Sequence, residues 1–140
     1  MPVTDDEGLR ELLELRRVAV VGCSSTPGKD AHEIPAYLQR HGYEVLPVNP
    51  YADEILGRTA YDSLGDVEGT VDLVDVFRPS DEVSGIVDEA IERREARGDV
   101  RAVWTQLGIR DDEAAARAEA AGLRVVQDRC MKVEHARLLA

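Results

Sequence analysis

The sequence predicts an α/β protein, a doubly wound parallel sheet of five strands with helices on both faces. Five short apolar segments, rich in β-branched residues, alternate with segments of helical periodicity. The first apolar segment also runs into a glycine turn directly before a helical segment, as at the ligand corner of such sheets. With 140 residues, 44% of them hydrophobic, the chain can bury a core, so we expect residues 1–140 to form a single domain.

Each element is predicted from its own pattern and from the residues that end it. The strands are expected at 18–21, 43–48, 71–77, 100–104 and 123–126. The helices are expected at 5–16, 30–41, 80–97, 111–121 and 130–139, with Thr4 or Asp5 capping the first and Ser80 the third. Between 51 and 70 three glycines predict a loop with short pieces of structure.

The alternation of elements predicts a Rossmann-like sheet with the strand order three-two-one-four-five. In such sheets a ligand binds beyond the carboxyl ends of the strands, here of strand one and of strand three or four. The candidate functional residues follow the strands at that edge, so we expect their loops to form one site.

Charge and composition exclude several classes of function. The 28 acidic and 17 basic residues give a net charge of -11, which argues against nucleic acid, because its phosphates need a basic surface. No apolar run approaches the ~20 residues that span a bilayer, and the acidic N-terminus lacks signal-peptide features, so we expect no membrane association and a cytoplasmic location. The two cysteines lie far apart in sequence and predict neither a structural disulfide nor a zinc site.

The loop after the first strand predicts a phosphate-binding corner. Gly22 allows a ligand or the next helix to approach the backbone closely, although a plain strand-to-helix turn is the alternative. Ser24 and Ser25 can donate hydroxyls to phosphate or cap the helix, and Pro27 follows in the same small, polar loop. Lys29 is one of only two lysines and lies at the helix entry, which favours a phosphate contact over a solvated surface charge. The loop lacks both the G-x-G-x-x-G pattern of dinucleotide sites and the Gly-Lys-Ser/Thr of a P-loop.

Three further loops supply candidate ligand contacts. Asn49 lies where dinucleotide-binding folds place an acid for the ribose; a neutral amide there tolerates a ribose phosphate, although a structural Asx turn is the alternative. Arg78 can clamp a phosphate or stack on a base, and Phe77 is either an apolar wall of the site or a core residue. Gln106 and Gly108 offer an amide and a bare backbone to a ligand. The remaining candidates in these loops are Pro50, Tyr51 and Pro79.

Cys23, in the glycine corner, has two interpretations. A thiol near a helix N-terminus can have a lowered pKa and be reactive, but a small packed side chain at a tight turn is the favoured interpretation. Trp104 is predicted to lie in the core. The histidines, His32, His41 and His135, share no spacing, and each is predicted at a surface or a helix end rather than as a catalytic base.

Five blocks of the sequence carry a family resemblance. They are G-C-S-S-T-P-G-K, H-G-Y-E-V-L-P-V-N-P, V-D-V-F-R-P, V-W-T-Q-L-G-I and D-R-C-M-K-V-E-H. In this order they resemble the small stand-alone CoA-binding proteins, which are similar to the CoA-binding domain of the succinyl-CoA synthetase α subunit. The resemblance covers nearly the whole chain and implies a Rossmann-like fold that binds coenzyme A through its 3′-phospho-ADP portion. It implies no particular reaction.

Three functions are open at this point. The favoured one is non-catalytic binding of CoA or a short acyl-CoA, as a carrier, sensor or regulatory module. The second is a redox or acyl-transfer enzyme that uses CoA or NAD, and the third is a subunit that completes an acyl-CoA ligase with a partner. No catalytic triad, paired carboxylates or ligase domain stands out, so we expect no synthetase activity from the chain alone. A protein partner or a homo-oligomer is left open.

Overall fold

Five parallel strands form the central sheet, and helices cover both of its faces. The computed structural model describes residues 1–140. The strands are β1 Arg17–Val21, β2 Glu44–Val48, β3 Glu54–Ile55, β4 Arg58–Thr59, β5 Leu73–Val76, β6 Ala102–Thr105 and β7 Arg124–Val126. The helices are α1 Asp6–Leu13, α2 Asp30–Arg40, α3 Val83–Arg97, α4 Asp112–Ala120 and α5 Met131–Leu138. The predicted α/β architecture is therefore confirmed, and β3 and β4 form a short antiparallel hairpin within the predicted loop.

The predicted strand order is wrong. The sheet has the order β2-β1-β5-β6-β7, so the third predicted strand, β5, lies beside β1 and not beyond β2. One feature of the sequence agrees with the observed order. Pro47 in β2 has no N–H to donate to a ladder, which suits an edge strand. The fully buried β5 pairs with β1 on one side and with β6 on the other.

This order places the switch point of the sheet between β1 and β5. The chain leaves β1 for α2, which packs on one face together with α1 and α5, and leaves β5 for α3, which packs on the other face with α4. Where two neighbouring connections diverge to opposite faces, a crevice opens beyond the carboxyl ends of the strands. The crevice therefore lies beside the loops that follow β1, β2 and β5.

Each face of the sheet buries its own apolar core. Under α3 and α4 the core contains Val74, Val76 and Ala118, and under α1, α2 and α5 it contains Leu38 and Trp104. The prediction that Trp104 is a core residue is confirmed, and its indole N–H donates to the Arg129 carbonyl (2.8 Å). Each fully buried large side chain contributes ~1.5–3 kcal/mol, so these cores hold the strand ends in place.

The helix ends agree only in part with the predicted caps. The Asp5 carboxylate accepts from the Gly8 N–H (3.1 Å) at the start of α1, which confirms one of the two predicted caps. Ser80 does not cap α3. It begins a short 3-10 turn ahead of the helix, and its hydroxyl accepts from the Arg110 N–H (3.0 Å) in another loop.

Of the two positions predicted for His135, a surface or a helix end, the structure shows the helix end, in the last turn of α5. Its side chain is only 4% exposed and is bonded to the Tyr37 hydroxyl (2.9 Å). It joins α5 to α2 inside an aromatic cluster.

None of the helices combines the length and apolar character needed to cross a bilayer. No group of three His, Cys, Asp or Glu side chains converges as a metal site.

Candidate ligand-binding cleft

A cleft of about 560 Å³ lies at the switch point, beside the carboxyl ends of β1, β2 and β5. Nine of the fourteen predicted site residues line it. They are Gly22, Cys23, Ser24, Lys29, Asn49, Pro50, Tyr51, Phe77 and Arg78. Residues from three separate loops thus meet at one place, because the parallel strands end together at this edge.

Both the backbone conformation at position 22 and the atoms packed against it require glycine. Its φ of +87° lies in the left-handed region, which favours glycine. A Cβ at this position would lie 2.7 Å from Cδ of Arg78 and 3.3 Å from the Phe77 carbonyl carbon. The aliphatic part of the Arg78 side chain therefore packs directly on the Gly22 turn. Because Gly22 has no side chain, the loop after β1 and the loop after β5 can make this contact.

Pro35 fastens the glycine loop to helix α2. A residue with an N–H at position 35 would donate to the Ala31 carbonyl, but proline has none, so that carbonyl is free within the helix. The Ser24 N–H donates to it instead (2.9 Å). The Ser24 hydroxyl in turn accepts from the Thr26 N–H (3.0 Å), which folds the loop back toward the helix start.

The entry of α2 offers hydrogen-bond donors to an anion. The backbone N–H groups of Ser25, Asp30 and Ala31 donate to no protein acceptor, and Lys29 is the N-cap residue without a side-chain capping bond. One donor is already used, since the Gly28 N–H donates to the Glu33 carboxylate (3.2 Å). The corner therefore has unused donors and one free cation, the chemistry that phosphate groups require.

Asn49 holds the glycine loop and its own turn together. Its Nδ2 donates to the Cys23 carbonyl (3.0 Å), and its Oδ1 accepts from the Tyr51 N–H (2.8 Å) in an Asx turn. The structural alternative stated for this residue is therefore present. An aspartate could form the turn but could not donate to Cys23, so an amide is needed here even without a ligand.

Arg78 faces an acidic neighbour inside the cleft. Its guanidinium forms two hydrogen bonds to Glu82, at 3.1 and 2.8 Å, and both side chains are about half exposed. The hydrogen bond from Arg78 lowers the pKa of the Glu82 carboxyl. Phe77 fits both interpretations, because it lines the cleft and also packs on the core below α1, α2 and α5.

Cys23 is fully buried and belongs to the same core. Burial first, and the nearby Asp75 second, raise the pKa of its thiol to about 12. This is the opposite of the shift that would make a thiol reactive, because the thiolate is the nucleophile. The structure therefore agrees with a packed side chain at the turn.

The other five predicted residues do not line the cleft. Ser25 and Pro27 are exposed in the glycine loop, and Pro79 is exposed before the 3-10 turn. Gln106 is buried with its Nε2 bonded to Asp75 (2.7 Å), and the Gly108 N–H donates to Asp128 (2.6 Å). Their ligand roles stay predictions.

Sequence reasoning missed several residues of the cleft. They are Asp62, Ser63, Glu82, Ile86 and Glu89. The last three are spaced four and three apart on the 3-10 turn and helix that follow Arg78, so one helical face points at the cleft. That spacing could have been read once Arg78 was proposed. Asp62 and Ser63 carry no local signal, because a long loop brings them to the cleft.

The fold and the cleft define a doubly wound α/β domain with a ligand crevice at its switch point. The chain belongs to the CoA binding domain family, whose model matches residues 16–136. The resemblance found in the five sequence blocks is therefore confirmed.

Three relatives show the range of this family. Uncharacterized protein YneT of Bacillus subtilis is 38% identical over 129 residues, which cover 91% of this chain and 92% of that protein. The solved structure of a hypothetical protein from Pyrococcus horikoshii is 38% identical with a TM-score of 0.91, covering 100% of this chain and 97% of that one. The ADP-forming acetate–CoA ligase II of Archaeoglobus fulgidus is 34% identical over 87 residues. That match covers 61% of this chain but only 13% of the ligase.

Proposed function

We propose that this protein binds coenzyme A, or a short acyl-CoA, in the cleft between β1 and β5. The 3′-phospho-ADP portion is the part recognised, and the protein acts as a carrier, sensor or regulatory module in the cytoplasm. The observation that carries the proposal is the corner at Gly22, where Lys29, the unused Ala31 N–H and the Arg78 guanidinium line one cleft at the switch point. Membership of the CoA binding domain family supports the same ligand.

A phosphate that binds Arg78 in the cleft exchanges places with a carboxylate of the protein. Arg78 is held by Glu82 in the free protein, and a phosphate that binds the guanidinium replaces that carboxylate. Lys29 forms no ion pair and needs no such exchange. The two cations therefore have different tasks, with Lys29 available at once and Arg78 released by the ligand.

CoA fits the cleft better than NAD does. Dinucleotide sites place a carboxylate after the second strand to bind the ribose hydroxyls, and this chain has Asn49 there. A carboxylate would repel the 3′-phosphate of CoA, whereas the amide of Asn49 does not. Because the amide is also needed for its hydrogen bond to Cys23, the preference for CoA follows from the missing acid and not from a contact with the amide.

Calorimetric titration with CoA and with NAD tests the proposal. We expect CoA to bind and NAD to bind negligibly; equal affinities would contradict it. Lys29→Ala and Arg78→Ala should each weaken CoA binding by about 1–3 kcal/mol, the scale of a charge-assisted hydrogen bond. Arg110→Ala is the matched control, since Arg110 is an exposed arginine outside the cleft that pairs with Asp112. Titration with dephospho-CoA then identifies which cation binds the 3′-phosphate. Replacing that cation should weaken the binding of dephospho-CoA less than it weakens the binding of CoA.

A second candidate function is a subunit that completes an acyl-CoA ligase with a partner. The similarity to a segment of an ADP-forming acetate–CoA ligase favours it. We propose that the chain alone forms no thioester from ATP, CoA and short carboxylic acids, since its cleft holds no catalytic constellation. Thioester formation that is lost in Lys29→Ala would instead make the chain an enzyme.

A further inference from the structure

Asp75 is a charged residue in the otherwise apolar strand β5, and it is fully buried. In the sheet register it lies between Val20 of β1 and Trp104 of β6. Its neighbours Val74 and Val76 belong to the core on the α3 and α4 face, so alternation places the Asp75 side chain on the opposite face. A carboxyl group in such surroundings is costly when ionised unless it is paired.

The hydrogen bonds of Asp75 leave it half satisfied. Its Oδ1 accepts from Nε2 of Gln106 (2.7 Å), and Oε1 of Gln106 accepts from the Met131 N–H (3.3 Å) at the start of α5. Its Oδ2 is the one buried side-chain polar atom of the protein without a partner. No arginine or lysine pairs with this carboxyl. The environment therefore favours the protonated form, and burial raises the pKa of Asp75 to about 7.

The carboxyl lies close to the glycine loop. Its register partner Val20 precedes Gly22 by two residues, and Cys23 packs in the same core as Val20 and Trp104. The charge of Asp75 adds to burial in raising the pKa of the Cys23 thiol. Phe77 and Arg78, which line the cleft, follow Asp75 within three residues on the same chain. A negative charge on Asp75 would thus lie in low-dielectric surroundings near the groups proposed to hold phosphates.

We propose that Asp75 couples anion binding in the cleft to the uptake of one proton, so that phosphate groups bind best when its carboxyl is protonated. The inference rests on the proposed function and adds its regulation. Coupling is reciprocal: if ionised Asp75 weakens ligand binding, the bound ligand favours protonated Asp75 by the same factor. The affinity for the ligand then falls as pH rises through neutrality.

Few other groups near Asp75 and the glycine loop could make ligand binding depend on pH in this range. The loop after β1 presents Cys23, which stays protonated at neutral pH, while β6 and α5 present the uncharged Gln106 amide and the Met131 N–H. His32 also lies in the first turn of α2, paired with Glu33 (2.9 Å), and it is another group near the anion corner that is charged only when protonated. A test must therefore separate Asp75 from His32.

The experiment measures the Kd of dephospho-CoA for the whole chain by calorimetry from about pH 6 to about pH 8. Dephospho-CoA is the probe because its pyrophosphate keeps a constant charge in this range, unlike the 3′-phosphate of CoA. We expect several-fold weaker binding across the range, by no more than about tenfold per pH unit for one proton. Asp75→Asn should remove the dependence. Asp72→Asn is the matched control and should keep it, since this carboxylate lies at the other end of β5 and accepts from the Arg17 N–H (3.2 Å).

A dependence that persists unchanged in Asp75→Asn would overturn the inference and assign the proton to another group. If that variant does not fold, wild-type protein titrated near neutral pH in two buffers of different ionisation enthalpy reports the proton directly. Uptake that persists in His32→Gln supports Asp75, and no uptake overturns the inference. Absence of dephospho-CoA and CoA binding at every pH would instead contradict the proposed function itself.

Discussion

The carboxyl edge of the sheet has two regions that look alike in sequence and differ in structure. Beside β1 and β5 the loops diverge and leave the cleft open, and its lining includes Lys29 and the unused Ala31 N–H. Beside β6 and β7 the loops are tied to each other by side chains. The Gly108 N–H donates to Asp128, and the Asp111 N–H donates to Gln127 (2.8 Å).

The difference shows that topology opens a crevice only where no side chain bridges it. The connections after β6 and β7 also diverge, toward α4 and α5. There, polar side chains at the end of β7 span the gap and use the donors of the neighbouring loop. At β1 and β5 the residue at the turn is Gly22, which has no side chain, and only the stem of Arg78 crosses it. The glycines Gly22 and Gly108, at the same edge of the sheet, therefore have different tasks.

Adding one methyl group at each glycine turn tests most directly whether the two regions differ in CoA binding. Gly22 and Gly108 both have positive φ, at +87° and +85°, so alanine strains the backbone equally. Gly22→Ala also drives Cβ to 2.7 Å from Arg78, whereas a Cβ on Gly108 meets nothing within 4 Å. We expect Gly22→Ala to weaken CoA binding by about 100-fold, roughly 3 kcal/mol, and Gly108→Ala by far less. Titration calorimetry measures both, and equal losses would show that strain alone is responsible.

Gln106→Leu tests whether the region beside β6 is structural. The change keeps a similar volume but leaves Oδ1 of Asp75 and the Met131 N–H without partners. We expect the free energy of unfolding to fall by about 2–4 kcal/mol, because each buried group left unsatisfied costs about 1–3 kcal/mol. Urea denaturation measures the loss. Unchanged stability would show that these bonds contribute little and would reopen a ligand role for Gln106.

Asp75→Asn tests the group that lies between the two regions, through stability and pH. Burial raises the pKa of Asp75 in the folded protein to about 7, well above the ordinary value of an aspartate, so the protonated carboxyl is favoured in the fold. The stability that this group contributes is present below about pH 4 and is lost as pH rises through about 7. We therefore expect the variant to match the wild type near pH 4 and to exceed it above pH 7, by about 2 kcal/mol. Urea denaturation across this range checks the sign, and a variant that is less stable above pH 7 would contradict it.

Glu82→Gln is expected to change CoA affinity least, and it tests how the pairing of Arg78 with Glu82 affects binding in the cleft. The glutamine no longer holds Arg78 as an ion pair, so a phosphate need not displace a carboxylate. We expect CoA to bind about two- to fivefold more tightly, the modest scale of an exposed pair. Glu113→Gln is the matched control, because it removes an exposed carboxylate that pairs with Arg117 on α4. Weaker binding in Glu82→Gln alone would mean that Glu82 positions Arg78 for the ligand.

Much of the architecture could be predicted from local pattern. The apolar strands, the helical stripes and the Asp5 cap depend on residues close in sequence, and all appear in the structure. The strand order could not be obtained in this way, although Pro47 in β2 pointed to an edge strand. Strand order depends on neighbours across the sheet, and patterns along the chain do not identify those neighbours.

Residue types at strand ends are enough to identify the family and to predict the glycine corner with the cations Lys29 and Arg78. How these groups are arranged depends on the folded chain. It paired Arg78 with Glu82, engaged both ends of Asn49, and connected Ser24 to the carbonyl that Pro35 leaves free. It also buried Asp75 with one oxygen unpaired. The physical reason is that hydrogen bonding and burial depend on which distant groups meet, whereas strand and helix patterns depend on spacing along the chain.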